Sequence, residues 1–200
     1  MKHRDIWLRC ADWVGVELDE TDLDRLDSYQ RWLAEEAIPA GGLGPGESHR
    51  LHDRHLGDSI LFAAGFDSTP DQVLDLGSGV GLPGIPLAIL WGDTRFILLD
   101  RSGRRVDLLR RAVRILELEN VTVEQGEIEQ PSHQGMAVVS RATLPPNRAR
   151  ERITPWLLPG GMAVLGGSWE RRPEHQGWVT LEIPAQVLDH TFWILIMHQT

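Results

Sequence analysis

The residues best placed to do chemistry are an acid, closely spaced glycines and two prolines, in Asp75-Leu76-Gly77-Ser78-Gly79-Val80-Gly81-Leu82-Pro83-Gly84-Ile85-Pro86. Glycine has no Cβ, so Gly77, Gly79 and Gly81 allow a tight turn and a close approach of backbone to ligand. Gly79-x-Gly81-x-x-Gly84 fits the dinucleotide fingerprint, with Asp100 about twenty residues on. A dinucleotide turn, however, begins its glycines directly after the strand, whereas this strand ends in Asp75-x-Gly77. A carboxylate there suits a cationic ligand better than a pyrophosphate. S-adenosylmethionine, which carries an amino group and a sulfonium, fits that description. The bland alternative is a ligand-free βα turn, which the density of glycine and proline disfavours.

These residues need a strand before the turn and a helix after it. Val73–Leu76 is apolar apart from Asp75, as expected of a parallel strand covered on both faces. Pro83 suits the first helical position, and Pro86 still falls where no intrahelical acceptor is needed. Asp100 ends a second strand, where it could accept from two ribose hydroxyls or cap the next helix. Strands are predicted near 73–76, 95–100, 121–124, 136–140, 162–165, 177–183 and 192–197, the last two as an antiparallel pair. The fold class is therefore α/β, a doubly wound, mostly parallel seven-stranded sheet. Helices are expected over 5–16, from an N-cap at Thr21 to about 37, over 48–64, along Val106, Leu109, Val113 and Leu116, and from Pro145–Pro146 to Leu157. Pro159-Gly160-Gly161 is read as a turn, and Trp169, Trp178 and Trp193 as packing residues. Tyr29 and Trp32 fall at core spacing. His49, His52, His55 and Asp58 drift around their helix, so no metal site is assigned, and His55 and Asp58 are placed beside the cofactor pocket.

Composition narrows the function. Two hundred residues, 42% hydrophobic, can bury one sizeable core, and no run is long and apolar enough for a membrane span. With no signal-peptide layout at the start, a cytoplasmic chain is expected. Cys10 is the single cysteine, which excludes an internal disulfide and the cysteine nucleophile of C5-pyrimidine methylation. The net charge of -9 is uneven: residues 1–100 hold 8 basic and 18 acidic side chains, residues 101–200 hold 12 and 11. Arg101, Arg104, Arg105, Arg110, Arg111 and Arg114 make a local basic face, either a solvated surface paired with Asp107 and Glu117 or an RNA footprint. Ser140-Arg141-Ala142-Thr143 leaves the fourth strand at the methyl-transfer point of such a fold. Arg141 could donate there to the cofactor carboxylate or to the methyl acceptor, or else form a plain salt bridge to Asp75 or Glu129.

The stretch Leu74 to Ala88 resembles the bacterial small-subunit rRNA N7-guanine methyltransferases, the RsmG or GidB family. Four further stretches resemble it in order: Arg54-His55-Leu56-x-Asp58-Ser59, Leu98-Leu99-Asp100-x-x-x-Arg104-Arg105-Val106, Leu118-Glu119-Asn120-Val121 and Val139-Ser140-Arg141-Ala142. The resemblance implies a class I, Rossmann-like S-adenosylmethionine-dependent methyltransferase in one domain, with an N-terminal helical cap over 1–47 and a core over 48–200. The implied substrate is small-subunit (16S) rRNA, methylated by a monomer without a metal. The cofactor residues are then Asp75, Gly77, Gly79, Gly81, Leu82, Asp100, Ile128, Glu129 and Arg141, with Arg141 also the catalytic candidate. In the family the positions matching Ile128 and Glu129 contact the adenosyl group. Relatives carry Trp-Asn and Asn-Leu-Thr segments where this chain has Pro39 to Gly46, and a lysine where it has Gly166-Gly167. Those departures leave two alternatives open: a paralogue acting on another substrate, and a non-catalytic cofactor-binding module.

Overall fold

The computed structural model describes residues 2–167 and 171–199. Trp169 lies outside the described residues. Seven strands, β1 (Gln72–Leu76), β2 (Arg95–Asp100), β3 (Val121–Gln125), β4 (Gly135–Arg141), β5 (Leu157–Gly166), β6 (Val179–Ile183) and β7 (Phe192–His198), form one sheet in the order β3-β2-β1-β4-β5-β7-β6. β1 to β5 pair in parallel and β7 runs antiparallel to both β5 and β6. This is the mixed, mostly parallel seven-stranded sheet expected from the sequence.

The order reverses between β2 and β4 around the central β1, which opens a crevice at the carboxyl ends of those strands. Alternation along β1 divides the core: Val73 joins the cluster on one face of the sheet, Leu74 and Leu76 the cluster on the other. Asp75 consequently points the same way as Val73.

The helices are α1 (Lys2–Trp13), α2 (Glu20–Trp32), α3 (Asp58–Ile60), α4 (Gly84–Leu90), α5 (Gly103–Ile115), α6 (Pro146–Ile153) and α7 (Ala185–Leu188). The predicted helix over 48–64 is a composite: a 3-10 turn at Pro45–Arg50, π-helical turns at Leu51–Gly57, α3, and a second 3-10 turn at Leu61–Gly65. α1 and α2 cover one face and join the main core through buried Trp7, Leu23, Leu26 and Tyr29. Trp7 also donates its indole N–H to the His52 carbonyl at 2.9 Å, tying α1 to the composite helix.

Several boundaries differ from the sequence reading. α2 is capped by Asp19 rather than Thr21: the Asp19 side chain accepts from the Asp22 N–H at 2.8 Å, and the Asp22 side chain accepts from the Asp19 N–H at 3.2 Å. That reciprocal pair satisfies two groups at once, which a threonine at position 21 cannot match. α6 stops at Ile153, because Pro155 has no N–H to continue the ladder, and a 3-10 turn leads into β5. Pro159-Gly160-Gly161 therefore lies inside β5, where it shifts the register against β4 and Gly160 takes a φ of 80°, rather than ending the helix in a separate turn. Backbone bonds from Gly160 N–H to the Gln199 carbonyl, 3.0 Å, and from Gln199 N–H to the Gly161 carbonyl, 2.8 Å, keep it paired. Trp178 is buried, while Trp193 reaches its indole N–H to Glu182 at the surface.

Asn120 explains one of the recurring stretches. Its side-chain amide lies 3.0 to 3.2 Å from the carbonyls of Ala88, Trp91 and Thr94, closing α4 onto the start of β2.

Candidate functional site

A cavity of about 600 Å³ opens at the carboxyl ends of β1, β2 and β4. Its floor is the glycine turn after β1. Gly77, Gly79 and Gly81 adopt φ of 74°, 66° and 103°, a region open to glycine and strained for other residues. The N–H groups of Gly77 and Ser78 both donate to the Leu99 carbonyl at 2.9 Å, pinning the turn to β2. At Gly77 a side chain would also meet Thr143, its Cβ falling 2.6 Å from the hydroxyl oxygen. From below, the buried Tyr29 hydroxyl of α2 donates to the Val80 carbonyl at 2.8 Å. Tyr29 thus packs, as its spacing predicts, and also braces the turn.

Gly77, Gly79, Leu82, Asp100, Ile128, Glu129 and Arg141 all line the cavity. Asp75 and Gly81 are not on its wall. The sequence suggests that Asp75 faces a cationic ligand; the structure turns it away, because strand alternation directs it beneath the turn. One oxygen accepts from the Ser78 hydroxyl at 2.6 Å and from the Gly84 N–H at 3.0 Å, and the other has no partner. Complete burial pushes its pKa up to about 7, against the pull of those two hydrogen bonds. Gly81 sits beside Ile85 and Tyr29, where a Cβ would lie 3.0 Å from the phenol oxygen.

Asp100, at the end of β2, accepts from the Gly79 N–H at 3.0 Å and from the Ser102 N–H at 2.9 Å, with Arg105 3.7 Å away. It joins the turn to the start of α5 while lining the cavity. Ile128 offers apolar surface, and its carbonyl accepts the Trp156 indole N–H at 2.8 Å. Glu129 forms an ion pair with Arg152 from α6.

The opposite wall comes from the segment 42–55 and from Arg141. The Arg141 guanidinium donates to the carbonyls of Arg54 and His55, to the Ser59 hydroxyl, and weakly to Asp58 at 3.5 Å. Its partners are thus neither Asp75 nor Glu129. Asp58 also meets His190 at 3.2 Å, and His55 meets Glu47 at 2.9 Å. The hydrogen bond from His55 holds the Glu47 carboxyl below its ordinary range, while burial, helped by Arg141, pulls the His55 ring down. Thr143 lines the cavity, as its place after the fourth strand predicts, and so do Glu47, Gly42 and Leu43, which the sequence does not single out. Nothing in the spacing of Glu47 marks it, since it follows a Gly/Pro segment and reaches the cavity only through the tertiary fold. In the arginine-rich helix, Arg111 pairs with Glu36 at 2.6 Å and Arg110 with Asp107 at 3.8 Å, whereas Arg101 and Arg105 line the cavity.

The sheet order and the crevice above the glycine turn are those of the Rossmann-like class I S-adenosylmethionine-dependent methyltransferases. Two solved structures share the fold. MtNAS in complex with S-adenosylmethionine matches with a TM-score of 0.59 at 13% identity, over 88% of this chain and 73% of that one. A Methanococcus maripaludis protein, described as a putative S-adenosyl-L-methionine-dependent methyltransferase, matches with a TM-score of 0.56 at 16% identity, over 92% of this chain and 96% of that one.

Residues 22–175 match the family model GidB, rRNA small subunit methyltransferase G, and the chain belongs to that family. Relatives named ribosomal RNA small subunit methyltransferase G include the Mycobacterium leprae protein, 41% identical over 152 residues, and the Mycobacterium marinum protein, 36% identical over 162. The Acidothermus cellulolyticus protein is 35% identical over 136 residues. These alignments cover 71%, 76% and 68% of this chain and span 61%, 68% and 61% of the respective relatives.

Proposed function

We propose that this chain is an S-adenosylmethionine-dependent methyltransferase acting on N7 of a guanine in small-subunit rRNA, in the cytoplasm. The observation that carries the cofactor choice is the hydrogen bond from the Gly84 N–H to Asp75. A dinucleotide pyrophosphate needs the free N–H groups at the helix start together with a positive local field. Here a buried carboxyl group already occupies that position, and the Gly79 N–H is given to Asp100.

The residues present fit S-adenosylmethionine. The cavity of about 600 Å³ lies within the usual range for small-molecule sites. Asp100, fixed by two backbone donors, presents acceptor lone pairs for ribose hydroxyls, and Leu99 and Ile128 give apolar surface for the adenine. Gly77 and Gly79 allow the methionyl part to lie close to the backbone. When bound, S-adenosylmethionine supplies an electrophilic methyl group.

Guanine N7 has a lone pair and no proton, so the chain needs to position the acceptor and needs no general base. In this reading Arg141 is a positioning residue. Its fork is used on the 54–59 segment, and it sets the wall against which the acceptor would rest.

The test is to incubate the purified protein with unmodified small-subunit rRNA and methyl-labelled S-adenosylmethionine, then map the label by cleavage at N7-methylguanosine. One labelled guanine is expected. Tight binding of NAD, with neither binding nor transfer from S-adenosylmethionine, would sink the proposal.

A further inference from the structure

We propose that Glu47 reads the acceptor base, its carboxylate accepting the N–H groups on the Watson–Crick edge of the guanine. This rests on the guanine-methylation reading and names the residue that would select guanine over the other bases.

The cavity carries three acids, Glu47, Asp100 and Glu129, and they differ in what already occupies them. Asp100 accepts two backbone N–H groups, and Glu129 is paired with Arg152. Glu47 accepts from the His55 ring through one oxygen, and its other oxygen has Arg50 only at 4.0 Å. Its charge is therefore the least committed of the three. It also bonds His55, whose carbonyl meets Arg141 at the end of β4, whereas Asp100 ends β2.

Glu47 is aimed by its neighbours. The His55 carbonyl takes the Arg141 guanidinium at 3.1 Å and the Ser59 hydroxyl at 2.5 Å, which fixes the backbone beneath the ring. The His55 Nδ1 is buried and has no partner, so the proton belongs on Nε2, where it is donated to Glu47. A neutral ring orients the carboxylate without cancelling its charge. Arg141 lowers the ring pKa further, while Glu47 and Asp58 act in the opposite sense.

Guanine presents N1–H and an N2 amino group side by side, two donors spaced for the two oxygens of one carboxylate. Adenine and cytosine place an acceptor where guanine has N1–H, and uracil flanks its single donor with two carbonyls. A carboxylate in this position therefore accepts guanine and repels the rest.

The test uses small-subunit rRNA assembled with inosine at the methylated position. Inosine keeps N7, O6 and N1–H and lacks only the amino group. The expected result is that the parent protein loses about tenfold or more in kcat/KM on inosine, the range for a hydrogen bond to a charged group. Glu47→Gln should be slower on guanosine and nearly indifferent to the exchange. An equal inosine penalty in both proteins, with transfer intact, overturns the role of Glu47 alone. A Glu47→Gln protein that binds S-adenosylmethionine more weakly by calorimetry, with unchanged base preference, makes Glu47 a cofactor contact and overturns it too. Absence of guanine N7 transfer by the parent removes both this inference and the function beneath it. Circular dichroism and the melting temperature of Glu47→Gln report whether the half-exposed position disturbs folding, and little change is expected.

Discussion

At the Asp100 end of the cavity the wall is backbone pinned by nearby carboxyl groups, whereas at the Glu47 end it is one chain segment pinned by side chains from distant ones. The first end draws on nearby sequence: the glycine turn, Asp75 three residues before Ser78, and Asp100 beside Ser102. The second joins residues 82 to 132 positions apart, through Arg141 to Ser59, His55, Arg54 and Asp58, and Asp58 to His190. The contrast teaches where damage should spread. A change at the first end should alter the fit of one ligand, and a change at the second should unlock a whole wall.

Arg141→Ala should produce the largest effect. It leaves two carbonyls without this donor and buried Asp58 with His190 alone, and loss of one member of a buried pair costs about 3–5 kcal/mol. Denaturant unfolding should show that loss. Arg141→Lys, which keeps the charge without the fork, should retain S-adenosylmethionine affinity within about tenfold, while methyl transfer falls much further. Equal transfer by the lysine variant and the parent would return Arg141 to a plain salt bridge.

Asp75 tests whether a carboxyl can serve the turn from beneath. Its folded pKa of about 7 lies above the ordinary value of 3.8, so the folded state binds the proton more tightly. Its contribution is fully present below pH 4 and is lost as pH rises through 7, at no more than about 1.4 kcal/mol per pH unit. Glu47 acts in the opposite sense, its lowered pKa favouring the fold above its ordinary range. The difference between parent and Asp75→Asn in stability against pH isolates the first effect, and parallel curves would contradict it.

Asp100→Asn should weaken S-adenosylmethionine by about ten- to a hundredfold in calorimetry, the size of one or two hydrogen bonds to a charged acceptor, with KM for rRNA unchanged. A larger change in KM for rRNA than in cofactor affinity would place Asp100 at the acceptor instead.

The smallest effect is expected from Tyr29→Phe. It removes one buried hydrogen bond to Val80 and leaves the carbonyl unsatisfied, about 1–2 kcal/mol in unfolding, with a few-fold loss of cofactor affinity. A full loss of binding would show the turn to depend on α2 far more than one bond implies.

The strands, the glycine turn and the end position of Asp100 were legible in the sequence because each is written in contiguous residues with a period of two or a run of small ones. The direction of Asp75 was readable in principle from the alternation Val73, Leu74, Asp75, yet a carboxyl at a strand end suggests a ligand more readily than a support for the next helix. The partners of Arg141 and the place of Glu47 were not readable, since both depend on how the 45–60 segment folds back over the end of β4. The boundary between α6 and β5 differs because Pro159-Gly160-Gly161 has the composition of a turn, and its bonds to Gln199 hold it within the strand although Gly160 has a positive φ.

The bond between Asp58 and His190 also sets an order of events during synthesis. A ribosome adds residues at about 5–20 per second, and early segments can collapse before later ones emerge. The glycine turn has β2 and Asp100 beside it once residue 102 has left the exit tunnel, and β4 and Thr143 once residue 143 has followed. The wall around Asp58 must wait for His190, 132 positions downstream, and Arg9 of α1 for the Val187 carbonyl that accepts from it. A nascent chain paused before that point holds a formed turn beside an open wall, so binding of S-adenosylmethionine should become measurable on stalled chains before rRNA can be positioned.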